Sequence, residues 1–300
     1  MGLYIICTSA RTGGNLLCST LAKINKLGKP GSYAYAYAAN EVLNKLNKKE
    51  FEEYLKNIPE RLELEKRGNL PLSNDLSWLY ETNILKNLGS PIERLRFYYD
   101  HLKADNMRGY LENIQHSILG GENWGIKILA YDNTGKGFDY FLNHLNQSSP
   151  NEHKKHSIQI LKELFGEVKF IWLTRRNKIR QGLSRWKAVN TRTWHQYQKE
   201  IQDSVNEKLP SIEELNEYAL QLTLDDAYWE EFFTKNQVVP LTLVYEDFIQ
   251  NPEKTIRSIL NWLEIKPKKP KYFNGFSQYK LANSNSDHLI EIFYNNSCIL

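Results

Sequence analysis

Two segments far apart in the sequence carry residue types that bind phosphate groups. The first is the loop at residues 9–15, with the sequence SARTGGN, and the second contains Arg176 and Ser184. Gly13 and Gly14 allow backbone N–H groups to approach an anion closely, and the planar guanidinium of an arginine suits phosphate oxygens. Together the two segments predict a binding site for one nucleotide that carries phosphates at both ends.

The first segment lies between a predicted strand and a predicted helix. Residues 3–8 form an apolar run that is short enough for a buried parallel strand, and Leu17 and Leu21 begin a helical spacing of apolar residues. The positive end of that helix would face an anion held by the loop. An ATP or GTP P-loop is disfavoured, because the loop lacks the lysine and the following hydroxyl of that motif. Arg11 supplies positive charge instead.

The second segment follows another predicted buried strand, at residues 168–174. This strand ends in Arg175 and Arg176, at the carboxyl edge where open α/β sheets bind ligands. Asn177 is a suitable N-cap for the next helix. Ser184 lies about two helical turns further on and could face the same anion.

The remaining pattern predicts an α/β fold. Further strands are expected at residues 124–130 and 238–244, and helical patterns separate the strands. We therefore expect a P-loop-like parallel sheet that helices cover on both faces. The whole chain, residues 1–300, is predicted to be a single domain that includes a mainly helical insertion at about 40–118.

Composition favours a cytoplasmic enzyme with a small ligand. The 39 basic and 35 acidic residues nearly balance, so net charge does not indicate nucleic-acid binding. The three cysteines have no metal-ligand spacing and fit a reducing compartment. No leader pattern and no apolar run near 18 residues is present, so export and a membrane span are not expected. We also expect no metal ion.

These segments resemble the sulfotransferases that use 3′-phosphoadenosine 5′-phosphosulfate (PAPS), most closely the bacterial trehalose 2-sulfotransferase family. Residues 11–17, RTGGNLL, are similar to the 5′-phosphosulfate loop RSGSTLL of that family, and Arg176 with Ser184 matches its Arg-x7-Ser signature. Three other stretches agree with the family motifs RAVQTxxW, GGKLMW and RQANxxSD, and they lie at residues 185–194, 125–129 and 280–287.

The resemblance implies a reaction and a set of site residues. A sulfonyl group would pass from PAPS to a hydroxyl or an amine of a carbohydrate or other small acceptor, and adenosine 3′,5′-bisphosphate (PAP) would be released. Arg11 and Lys127 would neutralise charge around the transferred group, and Arg176 and Ser184 would hold the 3′-phosphate. The expected nucleotide-binding residues are Arg11, Thr12, Gly13, Gly14, Asn15, Leu16, Arg176, Ser184, Lys280 and Asn283.

One departure from the family affects the catalytic base. Ser32 stands where the trehalose-type enzymes have a glutamate in the motif PxEFF. Asp132 is our first candidate for the base, because it follows the strand at 124–130 at the expected ligand edge. Glu41, His195 and His288 are further candidates. Trehalose is correspondingly unsupported as the acceptor.

Three interpretations stay open at this point. The first is an active PAPS-dependent sulfotransferase. The second is a non-catalytic relative that binds PAPS or PAP as a sensor or scaffold, and the third is another nucleotide-dependent transferase such as a kinase. The sequence specifies neither the acceptor nor the oligomeric state, so both a monomer and a homodimer are compatible with it.

Overall fold

The computed structural model describes residues 2–24, 26–33, 37, 43–56, 90–119, 123–131, 137–147, 157–191, 209–266 and 284–297. Within these ranges the chain forms a four-stranded sheet of order β2-β1-β3-β4. The strands are β1, Gly2–Thr8; β2, Asn123–Leu129; β3, Val168–Thr174; and β4, Leu241–Val244. The sheet is parallel and helices flank it, which confirms the predicted α/β fold class.

The strand order places the two predicted phosphate-binding segments side by side. β1 and β3 are neighbours in the sheet, and their carboxyl ends, Thr8 and Thr174, lead directly into the loop at 9–13 and into Arg175. Because neighbouring parallel strands end at the same edge of a sheet, ligand-binding residues that follow them are brought together. β1 and β3 also supply much of the core, since their Ile and Leu side chains are buried.

The fourth strand is shorter than the sequence predicts. The pattern predicts a strand over residues 238–244, but β4 begins only at Leu241, where it pairs with Ile171 of β3. The Val238 N–H donates to the Phe233 carbonyl oxygen at 2.9 Å and so belongs to the end of the preceding helix. Pro240 has no N–H to donate to a strand ladder, so pairing starts after it.

One compact unit comprises residues 1–5, 25–128 and 132–168. Its core is rich in aromatic side chains, among them Tyr98, Tyr110 and Phe141, which are fully buried. Two of its helices continue into π-helical turns, Tyr98–Leu102 and Gln115–Leu119. Its described helices are α2, 48–56; α3, Pro91–Phe97; α4, Met107–Ile114; α5, Phe138–Gln147; and α6, Ser157–Phe165.

The second compact unit comprises residues 6–24, 129–131 and 169–300. Its described helices are α1, Gly14–Leu21; α7, Lys178–Thr191; α8, Ile212–Lys235; α9, Tyr245–Gln250; α10, Pro252–Trp262; and α11, Ser284–Ser297. Ser211 and Glu214 start α8, where they form a capping box. α11 is held by Ile290 and Phe293, which join Leu183 in a buried cluster.

α8 and β1 are joined by a buried hydrogen bond. The Trp229 indole N–H donates to the Thr8 carbonyl oxygen at 2.9 Å, so the helix is fixed at the end of the strand from which the loop starts. No helix in the described part of the chain is long and apolar enough to cross a membrane. The single domain over residues 1–300 stays a prediction.

Candidate functional site

The loop after β1 adopts a conformation that requires glycine at one position. Gly13 has a φ of +86° and caps α1, which has no side-chain cap at its N-terminus. The first N–H groups of a helix have no carbonyl partner within the helix, so this end attracts anions. A Cβ atom at Gly13 would lie 2.6 Å from Cδ2 of Tyr245. Both the backbone angle and the Tyr245 ring therefore disfavour a larger residue.

We expect Gly13→Ala to destabilise the protein more than Gly166→Ala does. Gly166 also has a positive φ, +72°, but nothing lies within 4 Å of the Cβ that alanine would add. The difference between the two variants isolates the clash with Tyr245, and an overpacked contact of this kind costs about 1–3 kcal/mol. Chemical denaturation of both variants measures it. Equal losses would show that Tyr245 moves aside and that only the backbone angle demands glycine.

Arg11 brings the two predicted phosphate-binding segments into direct contact. Its Nε donates a hydrogen bond to Oγ of Ser184 on α7, at 3.0 Å. Arg175 reaches the same loop from the end of β3, since its Nη1 donates to the Arg11 carbonyl oxygen at 3.2 Å. The sequence predicted that Arg11 and Ser184 contact one ligand, and the structure places them within hydrogen-bonding distance of each other.

Arg11 and Arg175 form a cationic centre that is partly shielded from solvent. Burial and the neighbouring Arg175 lower the pKa of Arg11 to about 10, and burial also lowers the pKa of Arg175. A pKa near 10 still leaves Arg11 charged at neutral pH. The Arg175 guanidinium lies over the Tyr245 ring at 4.6 Å. Its Nε is buried without a hydrogen-bond partner among the described residues, and the nearest carboxylate, Glu246, is 3.8 Å away.

This centre has the properties of an anion site. Two neighbouring guanidinium groups that are partly shielded from water repel each other, and a bound anion would offset that repulsion. Arg175 Nε offers a buried donor, and the N-terminus of α1 offers backbone donors and the positive end of its dipole. The donor set therefore fits a phosphate or sulfate group.

Arg176 is held in place by α9. Its Nη1 and Nη2 donate to Oδ1 and Oδ2 of Asp247, both at 2.7 Å. Its backbone N–H donates to Glu246 Oε2 at 3.0 Å, and the Asn177 N–H donates to Glu246 Oε1 at 3.2 Å. The hydrogen bonds from Arg176 lower the pKa of Asp247. More than half of the Arg176 side chain is exposed, so it is accessible from solvent.

A polar network centred on Asp226 of α8 holds the loop that follows β1. Ser9 donates from Oγ to Asp226 Oδ1 at 3.0 Å, and Gln181 donates from Nε2 to Ser9 Oγ at 3.0 Å. Lys178 forms an ion pair with Asp226, with 2.5 Å between Nζ and Oδ2, and the Thr174 hydroxyl donates to the same oxygen. The network joins the loop, the end of β3, α7 and α8.

The other predicted site residues have different surroundings. Thr12 is buried and donates its hydroxyl proton to the Ser9 carbonyl oxygen at 2.9 Å, so this proton is not available to an anion. Lys127 lies in β2 with 8% of its surface exposed, and its backbone N–H donates to the Gly31 carbonyl oxygen at 2.8 Å. The predicted residues Asp132, Lys280 and Asn283 lie outside the described residues, as do Glu41 and His195.

Asn177 behaves as the sequence predicts. Its side-chain Oδ1 accepts a hydrogen bond from the Arg180 N–H at 2.8 Å, which caps α7. Arg180 then forms an exposed ion pair with Asp287 of α11, with 2.6 Å between Nη1 and Oδ1. α7 is therefore fixed at its N-terminus by two carboxylate-bearing helices, α9 and α11.

Comparison with known proteins assigns the family. The model of the Stf0 sulfotransferase family matches residues 94–296, more than half of the chain. No curated protein matches in sequence.

Among solved structures, a sulfotransferase domain from the curacin biosynthetic pathway is similar. That match has 15% identity and a TM-score of 0.50, and it covers 95% of this chain and 81% of that domain. A sulfotransferase from Alicyclobacillus acidocaldarius matches with 11% identity and a TM-score of 0.42, over 97% of this chain and 91% of the other. On the strength of the family match, the chain belongs to the Stf0 sulfotransferase family and is a sulfotransferase.

Proposed function

We propose that this sulfotransferase uses PAPS as its donor and transfers the sulfonyl group to a hydroxyl or an amine of a carbohydrate or other small acceptor. The observation that carries the proposal is the 3.0 Å hydrogen bond between Arg11 and Ser184. It joins the loop that the family resemblance assigns to the 5′-phosphosulfate to the helix that it assigns to the 3′-phosphate.

On the 5′ side, the proposed contacts come from the loop and the start of α1. Arg11 would neutralise the charge that develops on the leaving phosphate, and Arg175 adds a second, partly buried cation nearby. Backbone N–H groups from Gly13 to Leu16 would bind the phosphate oxygens. The positive φ of Gly13 supports this assignment, because it directs the chain into α1 without a capping hydrogen bond from a side chain.

On the 3′ side, the proposed contacts are Arg176 and Ser184. Arg176 is exposed and already oriented by Asp247, and the Ser184 hydroxyl lies beside Arg11. ATP and adenosine 5′-phosphosulfate (APS) have no 3′-phosphate, so these two residues would distinguish PAPS from both. Lys280 and Asn283 remain proposed nucleotide contacts from the family resemblance.

PAPS, when bound, supplies a sulfonyl group and a good leaving group. A new bond then forms between the acceptor oxygen or nitrogen and the sulfur, the bond from sulfur to the 5′-phosphate oxygen breaks, and a base takes the acceptor proton. We propose Asp132 as that base and Lys127 as a cation that stabilises the transferring group. Positioning and charge stabilisation supply most of the rate enhancement in transfers of this kind.

PAP binding tests the donor assignment. PAP at 100 times its dissociation constant should stabilise the protein by about 2.7 kcal/mol and raise its thermal midpoint. Arg176→Ala should weaken PAP by about 1.5–3 kcal/mol and leave APS nearly unchanged, because only PAP carries the phosphate that Arg176 would bind. Isothermal titration calorimetry with both ligands measures these changes.

Arg257→Ala is a matched control for that experiment. Arg257 is also an exposed arginine in an ion pair, with Glu253 of α10 at 2.6 Å, and its loss should leave both affinities unchanged. No binding of PAP by the wild type would refute PAPS as the donor. Equal losses of PAP and APS in Arg176→Ala would show that Arg176 supports the fold or the 5′-phosphate instead.

The second candidate function is a PAPS- or PAP-binding protein without catalytic activity. Ser32, in place of the family glutamate, favours it. Transfer of radiolabelled sulfonyl groups to a panel of sugars, lipids and amines distinguishes the two functions. Binding of PAP with no transfer to any acceptor would favour the non-catalytic protein.

A further inference from the structure

We infer that Asp247 is a positioning residue that sets the selectivity of this enzyme for nucleotides with a 3′-phosphate. It would act by holding the Arg176 guanidinium in the orientation that binds the phosphate. The inference rests on the proposed function, because it needs Arg176 to be the 3′-phosphate ligand.

The contacts show that Asp247 orients the Arg176 side chain. Both carboxylate oxygens bind the end of the guanidinium, one to Nη1 and one to Nη2, each at 2.7 Å. Two parallel hydrogen bonds of this kind fix the plane of the group as well as its position. The backbone of Arg176 is fixed independently, by its hydrogen bond to Glu246, the residue that precedes Asp247. The main chain and the side chain of Arg176 are therefore both held by α9.

The pairing leaves donors for a second anion. A guanidinium has five N–H donors, and Asp247 uses two of them at its end. The Nε–H and one N–H on each terminal nitrogen remain, and an edge of the group that includes Nε can bind a phosphate with two hydrogen bonds. No other described side chain is bonded to the Arg176 guanidinium, and 59% of this side chain is exposed. A phosphate from solvent can therefore reach that edge while Asp247 keeps its place.

The benefit of orienting Arg176 outweighs the repulsion between the Asp247 carboxylate and the 3′-phosphate. The Asp247 side chain is itself 54% exposed, so water and salt screen its charge from a phosphate on the far edge of the guanidinium. A free arginine side chain, in contrast, loses many rotamers when it binds, and that loss reduces affinity. Because Asp247 already restricts the Arg176 side chain in the free protein, most of this entropy is not lost when the nucleotide binds.

The experiment compares PAP with APS in Asp247→Ala and Asp247→Asn. Asp247→Ala should weaken PAP roughly three- to tenfold, which is the size expected for ordering one long side chain on binding. APS, which lacks the 3′-phosphate, should change by less than about twofold. Asp247→Asn retains one acceptor oxygen and should lie between the wild type and alanine. It also serves as the variant of choice if Asp247→Ala folds poorly.

A double-mutant cycle separates positioning from a general structural role. In the Arg176→Ala background, Asp247→Ala should have no further effect on PAP, because the group that it orients is absent. Glu253→Ala, which removes the exposed carboxylate paired with Arg257 in α10, is the matched control and should change neither affinity. The thermal midpoints of all variants without ligand verify that each is folded.

Four results would overturn the inference. Tighter binding of PAP by Asp247→Ala would show that the carboxylate competes with the 3′-phosphate for Arg176. Equal losses of PAP and APS would show that Asp247 supports the fold of the site as a whole. If Arg176→Ala is itself unselective, the proposed 3′-phosphate site fails. If Arg176→Ala is selective and Asp247→Ala has no effect, only the role of Asp247 fails.

Discussion

Asp226→Ala should destabilise the protein by about 3–5 kcal/mol, the cost of breaking a buried ion pair by removing one partner. Asp226 is 8% exposed, and its carboxylate bonds Ser9, Thr174 and Lys178. Its loss would leave the Lys178 ammonium without its carboxylate partner and would free the loop from α8. Urea denaturation monitored by circular dichroism gives the change in the free energy of unfolding.

Two further variants of α8 define the cause of that loss. Asp226→Asn keeps the shape of the side chain but not its charge, so it separates the ion pair with Lys178 from the hydrogen bonds. Glu230→Ala changes an exposed residue one turn further along α8 and should shift the free energy of unfolding by no more than about 0.5 kcal/mol. A loss below about 1 kcal/mol in Asp226→Ala would mean that water replaces the carboxylate and that the network adds little stability.

The importance of Asp226 could have been predicted from its position in the sequence. The buried face of α8 repeats at helical spacing through Leu215, Ala219, Leu222 and Trp229, and Asp226 occupies the place between the last two. A carboxylate on an apolar face is expensive unless it is paired. The pattern therefore indicates a buried polar contact. It does not identify Ser9, because that partner is 217 positions away and depends on how α8 packs against β1.

The strands illustrate what local pattern determines. β3 lies at the predicted residues 168–174 because its apolar run is short and bounded by polar residues on both sides. β4 begins three residues late, because Val238 bonds the preceding helix and Pro240 cannot pair. Both causes concern backbone hydrogen bonding, which the hydrophobic pattern does not report. A pattern of apolar residues alone cannot distinguish an extended connection from a strand.

The candidate site also contains residues that local sequence predicts and residues that only the packing reveals. The loop residues Arg11 and Gly13 were predicted, because a strand, a turn with glycines and a helix are consecutive in the chain. The role of Asp247 was not, because its contact with Arg176 spans 71 positions and depends on the placement of α9 after β4. The sequence shows the cations that would face a ligand. The carboxylates that orient those cations are found only from the packing.

Arg11→Ala should lower turnover about 10²–10³-fold, the usual cost of removing one oriented group that stabilises developing charge. In contrast to Asp226, it should have little effect on folding. Arg11 and Arg175 are neighbouring, half-buried cations, and burial and then the Arg175 charge lower the pKa of Arg11. Loss of the hydrogen bond to Ser184 is therefore offset by relief of the repulsion between the two cations, and the midpoint without ligand should be unchanged or higher.

The comparison of Arg11→Ala with Arg11→Lys tests this role. Lysine keeps the charge but not the planar fork that reaches Ser184, so it should retain part of the turnover. Release of PAP from PAPS, measured with the best acceptor from the panel, reports turnover, and thermal melting without ligand reports the fold. If Arg11→Ala lowers the thermal midpoint as well as turnover, Arg11 is a structural residue. A large loss of turnover with an unchanged thermal midpoint would show that Arg11 serves the reaction and not the fold, at the expense of repulsion between two half-buried cations in the free enzyme.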